Sequence, residues 1–143
     1  MTIVYTAPLR GNEIPADRMA SAGHAAIQVG HASEFLDHPG AGLYIDGGFD
    51  GFFAPLNGPL LFHCPAFTFS QLPGAPAISA RFCAWPGFAE RPLWEVAPQP
   101  GTEGIFMNII VQLGLKPKIV PDIAGLIAPR ILCTIINEAA FTL

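Results

Sequence analysis

The sequence contains few charged residues and very few basic ones. Asp, Glu, Lys and Arg together make up 13% of the 143 residues, about half the share found in an average soluble protein. The seven Lys and Arg residues are scattered singly, and the formal net charge is −4. Because binding to a phosphate backbone requires clustered basic residues, we expect the chain not to bind nucleic acid.

Long hydrophobic runs are also absent. Pro or Gly interrupts every apolar stretch before it reaches the roughly 18 to 20 residues that a bilayer-spanning helix needs. The first residues, MTIVYTAPLRG, contain no basic segment followed by an apolar one, so they do not resemble a secretory signal. We therefore expect a cytoplasmic protein that does not associate with membranes.

Cysteine and histidine are too few and too widely spaced to indicate a metal centre. The three cysteines, Cys64, Cys83 and Cys133, form no pair at metal-ligand spacing, and one thiol stays unpaired if two are joined. The four histidines show no HxxxH or HxH arrangement with matching carboxylates. We interpret the cysteines as small buried apolar side chains and expect no metal site.

The composition and the pattern of apolar residues predict one compact α/β domain. Hydrophobic residues make up 51% of the chain, enough to bury one core. Gly and Pro number 15 each, so the elements must be short and tightly turned. Candidate helices cover residues 13–22 and 101–114, and candidate strands cover residues 2–7, 24–29, 42–45, 59–63, 78–84, 93–97 and 116–120. Their alternation favours a mostly parallel sheet.

The last segment of the chain is apolar on nearly every side. It covers residues 125–143, from Gly125 to Leu143, and we expect it to form one long helix. A helix that is hydrophobic all round must be buried, and no partner helix follows it in the sequence. Either the chain is a piece of a longer protein, or the helix packs against a second copy of the chain. We favour a homodimer, because so much exposed apolar surface would otherwise promote aggregation.

A specific pattern of residues surrounds this segment. It comprises Lys116-Pro117 in a candidate strand, then Asp122, Ala124-Gly125-Leu126, Arg130 and Asn137-Glu138-Ala139. This pattern resembles the junction of 3-hydroxyacyl-CoA dehydrogenases, where the nicotinamide-binding domain passes into a helical dimerisation domain. The resemblance implies a shortened Rossmann-like domain over residues 1–124 and the start of the dimerisation domain over residues 125–143.

The resemblance also implies a reaction. In this family hydride passes from C3 of a hydroxyacyl-CoA to NAD, and a histidine oriented by a glutamate removes the hydroxyl proton. Residues 80–96 resemble the two strands that carry this pair, and Glu95 falls at the place of the glutamate. Anchoring the comparison on Pro86 puts Phe82 at the place of the histidine, whereas anchoring it on Glu95 puts Cys83 there. Neither residue type can act as a general base.

His63 is the candidate for a displaced base, because it ends a predicted strand at the place of the family's substrate loop. The alternative interpretations are an ordinary strand-end histidine at this position and a surface strand residue at Glu95.

The nucleotide-binding loop of the family is also altered. A dinucleotide fold places GxGxxG between its first strand and helix, where backbone amides hold the pyrophosphate. The corresponding run TAPLRG keeps only its last glycine, Gly11, and Pro8 removes an N–H there. Arg10 and Gly11 are therefore the candidate NAD-binding residues, with Arg10 gripping a phosphate. The acidic residue expected after the second strand is missing from the run QVGH at residues 28–31.

Three hypotheses for the function follow. The first is a 3-hydroxyacyl-CoA dehydrogenase-like protein that has weak or no hydride-transfer activity and retains a cleft for an acyl-CoA ligand. The second is an active NAD-dependent 3-hydroxyacyl-CoA oxidoreductase with an atypical nucleotide loop. The third is a non-catalytic dimeric binding or assembly module that works through residues 125–143.

Overall fold

The structure, a computed structural model, describes residues 1–6, 16–85, 87–88 and 90–142. Within these residues seven strands form one sheet: β1 (Thr2–Thr6), β2 (Ala25–Val29), β3 (Leu43–Asp46), β4 (Leu60–His63), β5 (Ser79–Phe82), β6 (Leu93–Pro98) and β7 (Lys116–Ile119). The α-helices are α1 (Ala16–Ser21), α2 (Glu103–Gln112) and α3 (Ala128–Phe141), and short 3₁₀ helices cover Ala32–Asp37 and Phe69–Gln71.

The sheet is mostly parallel, as the sequence predicts. Its strand order is β2-β1-β3-β4-β5-β6-β7. The strands from β2 to β5 are parallel, whereas β6 runs antiparallel to β5 and β7 runs parallel to β6. Since β2 and β3 lie on opposite sides of β1, the direction of winding reverses there, and the carboxyl ends of β1 and β3 flank a topological switch point. The predicted Rossmann-like α/β fold is therefore confirmed.

The two faces of the sheet carry separate apolar clusters, because successive side chains of a strand point to opposite faces. On one face, Leu61 belongs to a cluster with Phe106 and Ile110 of α2. On the other face, Tyr44 and Phe62 pack with side chains of the first 3₁₀ helix and of the loop after β3. Burial of each such side chain contributes about 1.5–3 kcal/mol. The strands are thus covered on both sides, as parallel sheets require.

Two loops, one from β3 to β4 and one from β4 to β5, cover this part of the sheet. Their Gly and Pro content predicts no regular helix. Aromatic side chains fill the space that a crossover helix would take. The ring centroids of Phe49 and Phe53 lie 4.8 and 5.2 Å from that of Phe62. Both loops leave the carboxyl ends of their strands, so they can line a site at that edge of the sheet.

Helix α3 is shorter than the sequence predicts, because residues 125–127 form a turn before it. Pro129 is its one buried side chain in the described part of the chain. Apolar side chains remain exposed along the rest of the helix, among them Ile131, Ile135, Ile136 and Phe141. The expectation that its apolar residues are buried is therefore not met within a single chain. None of the helices in the described ranges is long and apolar enough to cross a membrane.

Candidate functional site

A small crevice lined by several polar side chains lies at the switch point. Thr6 ends β1 and Asp46 ends β3, and the two lie side by side in the parallel register. The Thr6 hydroxyl donates a hydrogen bond to Asp46 Oδ1 at 2.7 Å, and the Gly48 N–H donates to the same oxygen at 3.1 Å. Burial raises the pKa of Asp46, while these two hydrogen bonds act in the opposite direction. The crevice therefore contains a buried carboxyl group held in a fixed orientation.

The rim of this crevice comes from the ends of β2 and β3. Gly30, His31 and Asp50 line it, and its volume is about 120 Å³. His31 Nε2 lies 3.3 Å from Asp50 Oδ2, and the side chains of both residues are half exposed. Hydrogen bonds from the Phe52 N–H and from His31 lower the pKa of Asp50. A carboxylate thus faces the crevice from the loop after β3, although the end of β2 supplies none.

These residues fit the ribose of a dinucleotide, whose hydroxyl groups need hydrogen-bond acceptors at the switch point. The carboxyl groups of Asp46 and Asp50 provide such acceptors. Arg10 and Gly11, the NAD-binding candidates of the sequence analysis, lie outside the described residues.

A larger and mostly apolar cavity lies at the carboxyl ends of β4 and β5. Its volume is about 460 Å³, and its lining includes Phe49, His63, Cys64, Phe67 and Trp85. The Ala84 N–H donates a hydrogen bond to His63 Nδ1 at 2.9 Å. Burial lowers the pKa of His63, and a hydrogen bond to the backbone of Phe82 acts in the opposite direction. His63 is therefore positioned at this cavity as a neutral imidazole.

A buried arginine fixes one wall of this cavity. Arg81 on β5 is fully buried and forms an ion pair with Asp122 at 2.5 Å. Its guanidinium also donates hydrogen bonds to the carbonyls of Cys64, Phe67 and Ile123. Arg81 thereby ties the loop after β4 to the segment that leads from β7 to α3.

Glu95, the predicted partner of a catalytic histidine, caps a helix instead. It lies on β6, and its carboxylate accepts the N–H groups of Ile127 and Ala128 at distances between 2.9 and 3.2 Å. These N–H groups lie at the start of α3 and have no acceptor within the helix, so a carboxylate there is favourable. Glu95 and His63 line different cavities, so the structure does not bring the two catalytic candidates together.

The end of β5 provides no general base in place of the family's histidine. Phe82 is buried in the core and stacks on Trp94, with ring centroids 5.1 Å apart. Cys83 is also buried, and burial raises the pKa of its thiol to about 11. Both positions that the sequence comparison pointed to are therefore unsuited to removing a proton at neutral pH.

Sequence reasoning missed the polar residues at the ends of β1 and β3, as well as the buried ion pair. Asp46 directly follows a run of apolar strand residues, which is the signal that marks a strand-end carboxylate. Arg81 is a lone cation inside an apolar strand, which indicates a buried charge that needs a partner. No local pattern identifies Asp122 as that partner.

Comparisons with known proteins agree with this fold. No protein-family model and no curated protein matches the sequence. Among solved structures, 5-formyl-3-hydroxy-2-methylpyridine-4-carboxylic acid 5-dehydrogenase, an NAD+-dependent dismutase, has a TM-score of 0.73 at 14% identity, covering 97% of this chain and 63% of its own. (S)-3-hydroxybutyryl-CoA dehydrogenase from Ralstonia eutropha has a TM-score of 0.69 at 14% identity, and the match covers 96% of this chain and 69% of that protein. A 3-hydroxyacyl-CoA dehydrogenase from Archaeoglobus fulgidus has a TM-score of 0.65 at 10% identity, and the match covers 99% of this chain and 63% of that protein.

The chain thus spans 63% to 69% of the length of these three proteins. At such low identity the similarity establishes the fold, and the resemblance seen in the sequence is confirmed at that level.

Proposed function

We propose that this chain is a 3-hydroxyacyl-CoA dehydrogenase-like protein with weak or no hydride-transfer activity. The observation that carries the proposal is the position of Glu95, whose carboxylate binds the first N–H groups of α3. A general base typically raises a reaction rate 10²- to 10⁴-fold. In this reaction the base is a histidine that a glutamate orients. Phe82 and Cys83 at the end of β5 cannot supply it.

The proposal retains a place for the cofactor. NAD, when bound, supplies the hydride acceptor in this class of reaction. Within the described residues, Asp46 and Asp50 are the groups that would accept hydrogen bonds from ribose hydroxyls. The apolar cavity beside His63 has room for the acyl group of an acyl-CoA. Binding without efficient proton transfer is therefore the expected behaviour.

A steady-state assay with acetoacetyl-CoA and NADH tests this proposal. We expect little turnover from the natural sequence, and no further loss of the residual rate in Glu95→Gln. This variant is instead expected to lower the free energy of unfolding by about 1 kcal/mol, because α3 loses a charged cap. Glu138→Gln removes a charge from an exposed position of the same helix and serves as the control. Turnover at ordinary enzyme rates, or a rate that depends strongly on Glu95, would contradict the proposal.

An active oxidoreductase with an atypical nucleotide loop is the second candidate. The carboxyl groups at the switch point favour it, because they are suited to holding ribose even without a glycine-rich loop. This candidate predicts that NADH binds at micromolar concentrations in calorimetry and that Arg10→Ala abolishes the binding. Undetectable NADH binding at millimolar concentration argues against it.

We also propose that the chain forms a homodimer through the segment from Gly125 to Leu143. The support is the row of exposed apolar side chains on α3, of which Ile131, Ile135 and Ile136 are each more than half exposed. Burying such a row against a second copy removes apolar area from water, at about 25 cal/mol per Å². A dimeric assembly module without catalysis predicts a stable dimer in light scattering, and a monodisperse monomer contradicts it.

A further inference from the structure

We propose that the outer edge of β2 binds a second copy of this chain, and that the two β2 strands pair antiparallel about a twofold axis through Ile27. The sheet of one copy then continues into the sheet of the other. This contact does not depend on hydride transfer. It is also independent of the proposed contact through α3, because that helix begins beside β6, near the opposite edge of the sheet.

The outer edge of β2 is open. β2 is the first strand in the sheet order, and among the described strands it pairs with β1 alone. In the common doubly wound order a further strand lies beyond this position, but the described residues provide none. The side chains of Ala25, Ala26 and Gln28 are exposed. Unpaired N–H and C=O groups along such an edge are a template for pairing with another strand.

The opposite edge of the sheet, formed by β7, is protected. Lys116 and Lys118 are exposed there, and lysine on an edge strand discourages pairing. The Lys116 N–H donates to the Pro92 carbonyl towards the sheet. The alternation of the strand therefore turns the nitrogen of Pro117 outward, where it has no hydrogen to donate. β2 has neither a charged residue nor a proline. Of the two edges that a second copy offers, β2 is thus the suitable one, which makes the contact symmetric.

The backbone of β2 determines which groups a partner strand can reach. The Ala25 N–H donates to the Met1 carbonyl at 3.1 Å, on the side of β1. Since alternate residues of a strand direct their N–H and C=O groups to opposite sides, those of Ala26 and Gln28 point outward. Antiparallel pairing centred on Ile27 places each Ala26 opposite the Gln28 of the other copy. Each facing pair exchanges two hydrogen bonds, so this register forms four.

The side chains fit the same register. The two Ile27 residues face each other across the axis, and each is partly buried against the cluster that contains Val29. Their contact therefore extends that apolar cluster. No like charges oppose each other along the paired strands, because β2 carries no charged side chain. A register centred on Ala26 needs the His24 N–H, which already donates to the Met19 carbonyl at 3.1 Å.

Disulfide cross-linking tests this register. Ile27→Cys is made together with Cys133→Ser, because Cys133 is exposed whereas Cys64 and Cys83 are buried. The two thiols of Ile27→Cys lie on residues with Cα atoms about 4.5 Å apart, within reach of a disulfide. Those of Gln28→Cys, the matched control, lie about 7–8 Å apart on the diagonal, beyond that reach.

The oxidant is diamide, which takes two electrons and two protons from each pair of thiols. A non-reducing gel is expected to show a band of twice the chain mass for Ile27→Cys and little of it for Gln28→Cys. Absence of this band in Ile27→Cys, or an equal or stronger band in Gln28→Cys, overturns the proposal.

Sedimentation equilibrium of the Ile135→Glu chain, in which the contact through α3 is disrupted, tests the strength of the β2 contact. This chain is expected to remain a dimer. Adding Ala26→Pro removes two of the four hydrogen bonds at a position where an edge strand tolerates proline. Since each net hydrogen bond corresponds to about 3- to 10-fold in affinity, dimerisation is expected to weaken at least about 10-fold.

Ala26→Thr keeps the N–H and serves as the matched control, which is expected to dimerise like the Ile135→Glu chain. Circular dichroism checks that each variant is folded, and the cross-linking result stands even if Ala26→Pro does not fold. A monomer of the Ile135→Glu chain at millimolar concentration, or unchanged dimerisation in folded Ala26→Pro, refutes the proposal. If only the proposed α3 contact is wrong, Ile135→Glu leaves the mass of the natural chain unchanged and Ala26→Pro still lowers it.

Discussion

Asp122→Asn is expected to destabilise the fold strongly, although the substitution keeps the shape of the side chain. It removes the negative charge that faces Arg81, whose side chain is 0% exposed. Breaking a fully buried ion pair by removing one partner costs about 3–5 kcal/mol. The Asp122 side chain is 32% exposed, and the carbonyls of Cys64, Phe67 and Ile123 still accept hydrogen bonds from the guanidinium. We therefore expect a loss of roughly 2 kcal/mol in the free energy of unfolding.

Urea unfolding, followed by linear extrapolation to water, measures this loss. The same change is expected to lower Tm by about 4–8 °C for a chain of this size. Asp37→Asn is the matched control, because Asp37 is exposed and forms no ion pair among the described residues. Exposed substitutions of this kind stay within about 0.5 kcal/mol of the natural protein. If the effect of Asp122→Asn falls in that same range, the ion pair with Arg81 does not stabilise the fold.

Three further changes test other parts of the structure. Burial raises the pKa of Asp46 above 3.8, so its ionised form opposes folding at pH 7. Asp46→Asn is therefore expected to raise the free energy of unfolding at pH 7, with a gain that disappears as the pH falls through the folded-state pKa. An unchanged stability at pH 7 argues against this. Because the pKa of Cys83 is about 11, about one thiol in a thousand is ionised at pH 8, and mass spectrometry should show iodoacetamide alkylating it more than about tenfold slower than the exposed Cys133. Equal rates would show that Cys83 is accessible. Ile135→Glu is expected to halve the mass in light scattering if α3 forms the dimer, and an unchanged mass would exclude this helix as the interface.

Much of the fold follows from the sequence because short apolar runs between turn residues specify strands. Of the seven strands in the described residues, six end within one residue of their predicted ends, and β4 ends at His63 as predicted. The Gly and Pro residues between β3 and β5 correctly predicted that no α-helix forms there. The predicted start of α3 was wrong because Gly125 and Leu126 adopt left-handed backbone angles, with φ of +86° and +50°, which a helix cannot include. A pattern of apolar residues does not report such angles.

The candidate site was less predictable, because its polar contacts join residues that are far apart in the sequence. Glu95 was found through the family resemblance, but its hydrogen bonds to Ile127 and Ala128 span more than 30 positions. Asp122 and Arg81 are likewise distant in the sequence and meet only in the folded chain. His63 Nδ1 accepts the N–H of Ala84, 21 positions further along the chain, and no residue pattern encodes this contact.

A single-turnover experiment isolates the chemical step from product release, so it measures directly how fast the chain transfers hydride. The protein, in excess, is mixed with NADH and a limiting amount of acetoacetyl-CoA, and the loss of NADH absorbance is followed. Without an oriented histidine and glutamate pair, we predict a rate constant at least about 100-fold below the roughly 10 s⁻¹ of a typical enzyme. A rate constant near 10 s⁻¹ would contradict the proposed loss of activity, because residues other than a histidine and glutamate pair would then have to transfer the proton.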